Sequence, residues 1–292
     1  MTRCRVRGGH DVRMTRTHVL VHGAFCGAAV WSPLVRELTL RGHRALAVDL
    51  PGHGLSAVVP DGPGSPSGIA GTGTADDVAA VAAVVARAAA HGPVVLVGHS
   101  RGGLTITAVA NAVPELLDRT VYVGAWCPAG GTVDDYQASP EAAQSLLDPL
   151  LGRLLTGDPA TLGALRVTWP TTDEDLLDGL QRALLADGTR DELRAYLHTQ
   201  DADESLHIDE AATRVDPAAW GAVPHTYVRL LQDRSLPLAL QDRFIADADA
   251  LLPDRPFDVH DLDSSHLRAQ LHPQELADVL DGLPATALAT GG

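Results

Sequence analysis

The 292-residue chain contains no lysine, so all 22 of its basic residues are arginine. This absence excludes chemistry that needs a lysine side chain, such as Schiff-base catalysis, a phosphate-loop lysine or a serine–lysine dyad. The 37 acidic residues give a formal net charge of −15. Because no basic surplus is available to replace the counterions of a phosphate backbone, we expect no nucleic-acid partner.

Cysteine and long apolar runs are also scarce. The three cysteines, Cys4, Cys26 and Cys127, lack the spacing of a disulfide framework or a zinc site, so no metal is expected. The longest apolar stretch, 78–90, is interrupted by Arg87 and is too short to span a bilayer. Residues 1–16 carry five arginines without an apolar run, unlike a secretory signal. These absences predict a cytoplasmic protein with no membrane partner.

Short apolar runs that alternate with helical patterns organise most of the chain. This rhythm indicates an α/β fold, with a mostly parallel sheet covered by helices on both faces. It is interrupted over residues 128–220, where amphipathic helical stretches occur without a convincing strand. The strands are predicted at 18–21, 44–48, 93–97, 119–123, 225–230 and 257–260, and the helical stretches of the interruption at 141–155, 173–185 and 190–198.

These patterns divide the chain into five parts. The interruption is interpreted as a helical cap, inserted over the carboxyl ends of the strands. Between residues 171 and 216 it has 13 Asp or Glu against 4 Arg, a charge that should disfavour polyanionic substrates. The parts are a disordered tail at 1–16, a first core segment at 17–127, the cap at 128–220, a second core segment at 221–284 and a C-terminal tail at 285–292.

A Gly-x-Ser-x-Gly motif, formed by Gly98, Ser100 and Gly102, lies between an apolar strand and a helical pattern. In that context it predicts a nucleophile elbow, a strained strand-to-helix turn with the serine at its apex. The glycines leave room where a Cβ would collide with neighbouring backbone. We interpret Ser100 as a catalytic nucleophile, whose hydroxyl needs a base to become reactive.

Two residues on later strand-end loops are the favoured partners of this serine. His266 follows the last predicted strand, so its loop emerges at the same carboxyl edge of the sheet as Ser100. Asp233 follows the strand before it and precedes the histidine by 33 residues, the order expected for the acid that orients the base. Alternatives for the base are His260 and His272, and for the acid Asp242, Asp261 and Asp263.

Backbone N–H groups must then stabilise the oxyanion that forms during acyl transfer, and losing one typically costs about 3 kcal/mol. The expected donors are Arg101, which follows the nucleophile, and Ala24, on the loop after the first strand. The Arg101 side chain has two interpretations. Pairing with a nearby carboxylate is favoured because a buried unpaired guanidinium is costly, and the alternative is contact with a polar group of the substrate.

Aromatic residues near the proposed site give the few clues to the substrate. Phe25 flanks the oxyanion loop, Trp126 ends the strand that enters the cap, and Trp169 lies within the cap. In a chain with only 4 Trp, 4 Tyr and 3 Phe, these positions favour an apolar or aromatic pocket. Further cap aromatics that could contribute are Tyr196 and Trp220.

Taken together, the motifs resemble the α/β-hydrolase superfamily over residues 17–283. The resemblance is strongest to the small-cap branch that contains plant methyl esterases, hydroxynitrile lyases and bacterial esterases. It implies a cofactor-free enzyme that cleaves a small ester or lactone through an acyl-enzyme. The oligomeric state stays open, a homodimer included. The segments that carry the resemblance are Leu20–Ala24, Asp49–Gly54, Gly98–Gly103, Leu231–Arg234 and Ser264–His266.

One departure from these relatives narrows the expected reaction. The hydroxynitrile lyases have a lysine after the catalytic histidine, where this chain has Leu267, so lyase activity of that type is not expected. Leu267 is instead predicted to line the substrate pocket. Fold alone does not separate the remaining alternatives, which are a C–C hydrolase or tailoring enzyme acting on a polyketide-like metabolite and a ligand receptor with little turnover.

Overall fold

The computed structural model describes residues 15–58, 61–62 and 64–284. Its strands are β1 (Thr17–Val21), β2 (Arg44–Val48), β3 (Val94–Ser100), β4 (Arg119–Ala125), β5 (Ala164–Arg166), β6 (Asp203–Ser205), β7 (His225–Leu230) and β8 (Asp258–Leu262). Six of them form a parallel sheet in the order β2-β1-β3-β4-β7-β8. The predicted α/β architecture is therefore confirmed.

Helices cover both faces of this sheet and fill the segment between β4 and β7. In chain order they are α1 (Ser32–Leu40), α2 (Thr74–Ala89), α3 (Gly102–Ala112), α4 (Val133–Gln137), α5 (Asp148–Leu154), α6 (Pro159–Leu162), α7 (Glu174–Leu184), α8 (Arg190–Leu197), α9 (Glu210–Thr213), α10 (Leu238–Leu251), α11 (Arg268–Leu271) and α12 (Gln274–Gly282). None of these described helices is long and apolar enough to cross a membrane.

Alternate side chains of the strands build two apolar layers. Val19 and Val21 of β1 pack in one layer with α2, α3 and α10, whereas Leu20 packs in the opposite layer with α1 and α12. All three side chains are fully buried. Burial of such a side chain stabilises the fold by about 1.5–3 kcal/mol, so the two layers hold the sheet as a rigid platform.

The strand order reverses between β1 and β3, which leaves a crevice at the carboxyl ends of these two strands. The chain moves from β1 outward to β2 and then returns to β3 on the other side of β1. In open α/β sheets, ligands bind at the carboxyl ends of the strands where the order reverses in this way. Residues 22–25 follow β1 and Ser100 ends β3, so both segments lie at this crevice.

The segment between β4 and β7 differs from its prediction in two respects. Its strands β5 and β6 pair antiparallel, so the expectation that residues 128–220 contain no strand is wrong. The helix predicted over 141–155 is broken, because Ser145 is not helical (ψ 129°) and α5 begins only at Asp148. Pro149 explains this start, since proline lacks the N–H that a helix interior needs and is favoured in a first turn.

The predicted tails lie largely outside the described residues, which omit 1–14 and 285–292. The boundary predicted for the first tail is wrong at Arg16, because this residue is only 5% exposed. Its carbonyl accepts a hydrogen bond from Arg44 N at 2.9 Å, and its N–H donates to His43 Nδ1 at 3.3 Å. The folded core therefore includes Arg16, which joins the backbone just before β1 to that of β2.

Candidate active site

The Gly-x-Ser-x-Gly segment forms a tight strand-to-helix turn. Ser100 ends β3 with φ at +53°, in the left-handed region that non-glycine residues rarely adopt, and α3 begins at Gly102. A Cβ added to Gly98 would lie 2.8 Å from the Gly102 carbonyl oxygen, and one added to Gly102 would lie 2.5 Å from that of His22. Glycine is required at both positions, and the strained turn holds Ser100 at its apex in front of the helix N-terminus.

The histidine and aspartate predicted from the strand-end loops meet in the structure. His266 Nδ1 lies 2.7 Å from Asp233 Oδ2, and the two side chains are 5% and 0% exposed. The other carboxylate oxygen of Asp233 accepts the backbone N–H groups of Ser235 and Leu236, each at 2.8 Å. The carboxylate is therefore fixed from both sides, which directs the Nδ1–H of His266 to it and leaves Nε2 for another partner.

The alternatives for the base and the acid lie elsewhere. Asp261 and Asp242 both pair with Arg229, at 2.7 and 2.8 Å. Asp263 is exposed and accepts a hydrogen bond from Gln232. Among the histidines, His260 and His272 pair with Asp258 and Glu192 respectively.

A second histidine, His99, contacts the backbone of the His266 loop. Its Nε2 lies 3.0 Å from the carbonyl oxygen of His266, and the two rings are 4.4 Å apart. Burial, and then the proximity of His266, lowers the pKa of His99 well below its usual value. His99 is therefore neutral and donates Nε2–H to that carbonyl, a structural role between the elbow and the histidine loop.

The loop after β1 is held by contacts on both of its sides. His22 donates from Nδ1 to Gly23 O at 2.8 Å and accepts Leu50 N–H on Nε2 at 3.1 Å. Burial, followed by the proximity of His53, lowers the pKa of His22 to about 4, so this ring is neutral. Phe25, the residue after Ala24, has φ at +58°, a second strained position at the site.

The Arg101 side chain pairs with a buried carboxylate. Its Nη1 lies 3.0 Å from Oε1 of Glu204 on β6, and Glu204 is only 4% exposed. His53 Nε2 lies 3.4 Å from the other oxygen of the same carboxylate. Of the two interpretations given for Arg101, this geometry is that of an arginine paired with a nearby carboxylate.

Ser100 and His266 line a common cavity of about 80 Å³. The predicted residues Ala24, Phe25, Trp169 and Leu267 line it as well, and the rings of Phe25 and Trp169 meet edge to face at 5.4 Å. The wall is mostly apolar, which suits the hydrocarbon part of a small molecule. The other lining residues are Gly23, Cys26, His99, Leu147, Leu151, Leu184, Tyr196, Leu197, Gln200 and Ser235.

Two of the predicted aromatic contacts lie elsewhere. Trp126 does not line this cavity, and its ring packs on Phe244 of α10 at 5.4 Å. Trp220 is fully buried in the core layer and donates from Nε1 to Tyr122 OH at 2.7 Å. Proximity in sequence to a strand end placed Trp126 near the site, but its side chain points to the helix layer beside the sheet.

Sequence reasoning missed the leucines and Gln200 that close the cavity. These residues come from α5 and the residue before it, from α7 and α8, and from the segment after α8. The helical spacing of the leucines showed that they would be buried, but not whether they face the cap interior or the cavity. Glu204 was missed for a similar reason, since a single acid in an acidic segment looks like a solvated residue.

Comparison with known proteins decides the family. The model of the alpha/beta hydrolase family matches residues 19–279. The chain belongs to this family. Polyneuridine aldehyde esterase from Rauvolfia serpentina is 24% identical over 283 residues, which cover 92% of this chain and 96% of that protein. A crystal structure of polyneuridine aldehyde esterase superposes with a TM-score of 0.69 at 21% identity, covering 91% of this alpha/beta hydrolase and 98% of that chain.

Two plant proteins extend the comparison. Esterase PIR7B from Oryza sativa subsp. japonica is 34% identical over 115 residues, 39% of this alpha/beta hydrolase. That match spans only 40% of the rice protein's length. Alpha-hydroxynitrile lyase from Arabidopsis thaliana is 24% identical over 239 residues, covering 77% of this chain and 82% of that protein. This alpha/beta hydrolase therefore resembles proteins named both as esterases and as a lyase.

Proposed function

We propose that this alpha/beta hydrolase cleaves a small carboxylic ester through an acyl-enzyme on Ser100. The observation that carries the proposal is the 2.7 Å bond between His266 Nδ1 and Asp233 Oδ2, behind a cavity that Ser100 and His266 both line. The arrangement has the parts of a serine–histidine–aspartate triad. The relatives named as esterases support the same reaction class.

In this mechanism His266 Nε2 takes the proton of Ser100 Oγ as that oxygen attacks the ester carbonyl carbon. Asp233 stabilises the imidazolium that forms, and the backbone N–H groups of Ala24 and Arg101 stabilise the oxyanion. When the carbonyl re-forms, the C–O bond to the alcohol breaks and His266 delivers its proton to the leaving oxygen. His266 then deprotonates a water molecule, whose oxygen attacks the acyl carbon. When the carbonyl re-forms, the bond from that carbon to Ser100 Oγ breaks, His266 returns the proton to Oγ, and the carboxylic acid leaves.

The cavity favours esters with a short apolar acyl group. Its volume of about 80 Å³ is smaller than the ~150 Å³ cavity that holds benzene in an engineered protein. Bulkier groups, including aromatic ones, exceed this volume. A lactone is an internal ester, so small lactones belong to the same proposal. Lyase chemistry that needs a lysine is not proposed, because Leu267 follows the histidine and the chain has no lysine.

A fluorophosphonate probe, which reacts with activated serines, tests the proposal. Wild-type protein should be labelled at Ser100, as read by peptide mass spectrometry, and Ser100→Ala should not. The control Ser235→Ala removes another hydroxyl of the cavity and should still be labelled at Ser100. Absence of Ser100-dependent labelling would refute the hydrolase. Labelling without turnover of any ester or lactone would refute the ester substrate and leave a C–C hydrolase with the same serine or a receptor.

The substrate class is tested with 4-nitrophenyl esters of increasing acyl length and with a panel of small lactones. We expect kcat/KM to be highest for acetate to butyrate and to fall for octanoate and longer chains. Equal rates across the series would contradict the inference from cavity size. Hydrolysis confined to the lactones would assign the narrower class.

A further inference from the structure

A carboxylate from β6 contacts both segments that supply the proposed oxyanion donors. Glu204 Oε2 accepts the backbone N–H of Phe25 at 2.8 Å, and Oε1 lies 3.0 Å from Arg101 Nη1. Phe25 follows Ala24 directly, and Arg101 follows Ser100. One buried side chain thus joins the loop after β1 to the elbow after β3.

The contact with Phe25 fixes a strained part of the loop. Phe25 has φ at +58°, and such a conformation persists only where the surroundings over-determine it. Its N–H is bonded to Glu204, and its carbonyl accepts a hydrogen bond from Asp201 N at 2.7 Å. The peptide groups on both sides of Phe25 are therefore held by the same short segment of chain, residues 201–204.

The charge of Glu204 is maintained in spite of its burial. Burial alone would raise the pKa of this carboxyl, but Arg101, then His53 and the Phe25 N–H, outweigh it and hold the pKa at about 2. Both oxygens are therefore acceptors at neutral pH. The Phe25 N–H is committed to Glu204 and is therefore not free to donate to an oxyanion, so the proposed donor of this loop is the N–H of Ala24, a residue that lines the cavity.

We propose that Glu204 is a positioning residue that sets the spacing between the two oxyanion donors, Ala24 N–H and Arg101 N–H. The proposal rests on the hydrolase function given above. A buried ion pair by itself is weak grounds for a stabilising role, because desolvation offsets the attraction between its charges. What distinguishes Glu204 is that each oxygen engages one of the two segments that must stay in register for the oxyanion hole to form.

The isosteric variant Glu204→Gln separates the two contacts. An amide has one acceptor oxygen and one NH₂ donor, so it cannot accept from Phe25 N–H and from Arg101 together. One of the two segments must lose its partner, whichever way the amide turns. We expect kcat to fall 10- to 100-fold, less than the 10²–10³-fold typical of deleting an oxyanion donor outright.

Asp203 provides a matched control on the same strand. It is also buried and it pairs with Arg166 at 2.6 Å, but its contacts tie β6 to β5 and to the loop around Ser67. Successive side chains of a strand point to opposite faces, which explains the different partners of 203 and 204. Asp203→Asn should lower the melting temperature, as Glu204→Gln should, yet leave kcat within threefold of wild type.

Three readouts separate positioning from general loosening of the structure. In Glu204→Gln, the inhibition constant of a trifluoromethyl ketone, which forms a tetrahedral oxyanion on Ser100, should rise by the same factor by which kcat/KM falls. KM should change less than threefold. Ground-state ester binding, measured in the Ser100→Ala background with and without Glu204→Gln, should also change less than threefold. Circular dichroism and thermal unfolding establish that each variant is folded.

The outcomes distinguish this proposal from the function on which it rests. Suppose that wild type shows Ser100-dependent turnover. If folded Glu204→Gln then keeps kcat within threefold of wild type, or if Asp203→Asn lowers kcat as much as Glu204→Gln does, the positioning role is overturned and the hydrolase stands. Wild type without Ser100-dependent turnover would overturn both. Should Glu204→Gln not fold, Glu204→Asp replaces it. That variant keeps the charge but is one methylene too short for both contacts, and unchanged kcat there would equally reject the role.

Discussion

The substitution Asp233→Asn provides a sharp test of the proposed triad. Oδ1 of Asp233 accepts two backbone N–H groups and Oδ2 accepts His266 Nδ1–H. An asparagine amide can replace only one of these oxygens. If its NH₂ faced Ser235 and Leu236, two buried N–H groups would lose their acceptor, at about 1–3 kcal/mol each. The orientation in which the amide oxygen faces these two N–H groups is therefore favoured by roughly 2–6 kcal/mol in total.

This orientation directs the NH₂ group of the asparagine toward His266. Nδ1 must then accept a hydrogen bond, so the proton of the neutral ring moves to Nε2. That nitrogen can no longer take the proton of Ser100. Loss of the correct tautomer lowers kcat on the order of 10⁴-fold in serine hydrolases, which corresponds to about 5 kcal/mol in the barrier.

The assay is steady-state hydrolysis of 4-nitrophenyl butyrate by purified wild type and variant, with thermal unfolding to show that both are folded. Asp263→Asn is the matched control, because Asp263 lies on the histidine loop but is exposed and contacts Gln232. It should retain wild-type kcat. A folded Asp233→Asn enzyme with kcat within tenfold of wild type would refute the reasoning, and a large loss in Asp263→Asn would move the acid role to that residue.

Two further predictions concern close packing and buried charge near the site. Gly102→Ala places a Cβ 2.5 Å from His22 O, so it should lower the free energy of unfolding by at least about 1–3 kcal/mol and abolish most of the activity. The control is Gly152→Ala, which has open space around its Cβ and should leave the melting temperature unchanged or raised. Burial raises the pKa of Asp77 from 3.8 to about 6, so its ionisation lowers the free energy of unfolding by about 2 kcal/mol as the pH rises from 4 to 7. Asp77→Asn should not show this decline in the free energy of unfolding, as measured by unfolding curves at pH 4 and pH 7. An equal change between the two pH values in wild type and variant would contradict the prediction.

The apolar pattern was sufficient to predict the sheet and its helices, because most of the strands are continuous apolar runs buried on both faces and the helices have one apolar side. All six strands of the sheet were predicted, with ends that differ from the structure by a few residues. The pair β5 and β6 was missed because each has three residues and β6 reads Asp-Glu-Ser, which resembles a solvated loop. Such short strands form only when the surrounding structure brings them together, so local sequence carries little signal for them.

In the candidate site, too, the residues within local sequence motifs were predicted, whereas residues that act through tertiary contacts were not. The elbow around Ser100 was predictable since the glycines and flanking apolar strand are contiguous in sequence. The loops of Asp233 and His266 could be placed at one sheet edge by chain order alone. Glu204 could not be found, because its partners Phe25 and Arg101 are 179 and 103 residues away. A Trp126 contact was inferred from a strand end, but strand ends determine backbone position, not side-chain direction.

The acidic residues of the inserted segment are not all surface charges, as their number in the sequence alone would indicate. Between residues 171 and 216 the count of 13 acids against 4 arginines indicates a strongly negative surface over the site. In the structure Glu204 and Asp203 are buried and paired with Arg101 and Arg166, while Asp201 accepts the N–H of Gly54. Glu204 and Asp201 therefore hold the segment to the core, whereas the pair of Asp203 with Arg166 joins β6 to β5 within the segment.

Several exposed acids of the same segment are paired as well. Arg194 and Arg190 lie within ion-pair distance of Glu174 and Asp178, and Arg153 pairs with Asp173 at 2.6 Å. Such surface pairs contribute only about 0–1 kcal/mol to stability, but each cancels a local charge. Three of the paired arginines, Arg101, Arg153 and Arg166, lie outside residues 171–216, so the charge around this segment is less negative than its own count of acids and arginines indicates. We therefore expect the apolar wall and small volume of the cavity to contribute, beside long-range repulsion, to any discrimination against polyanionic substrates.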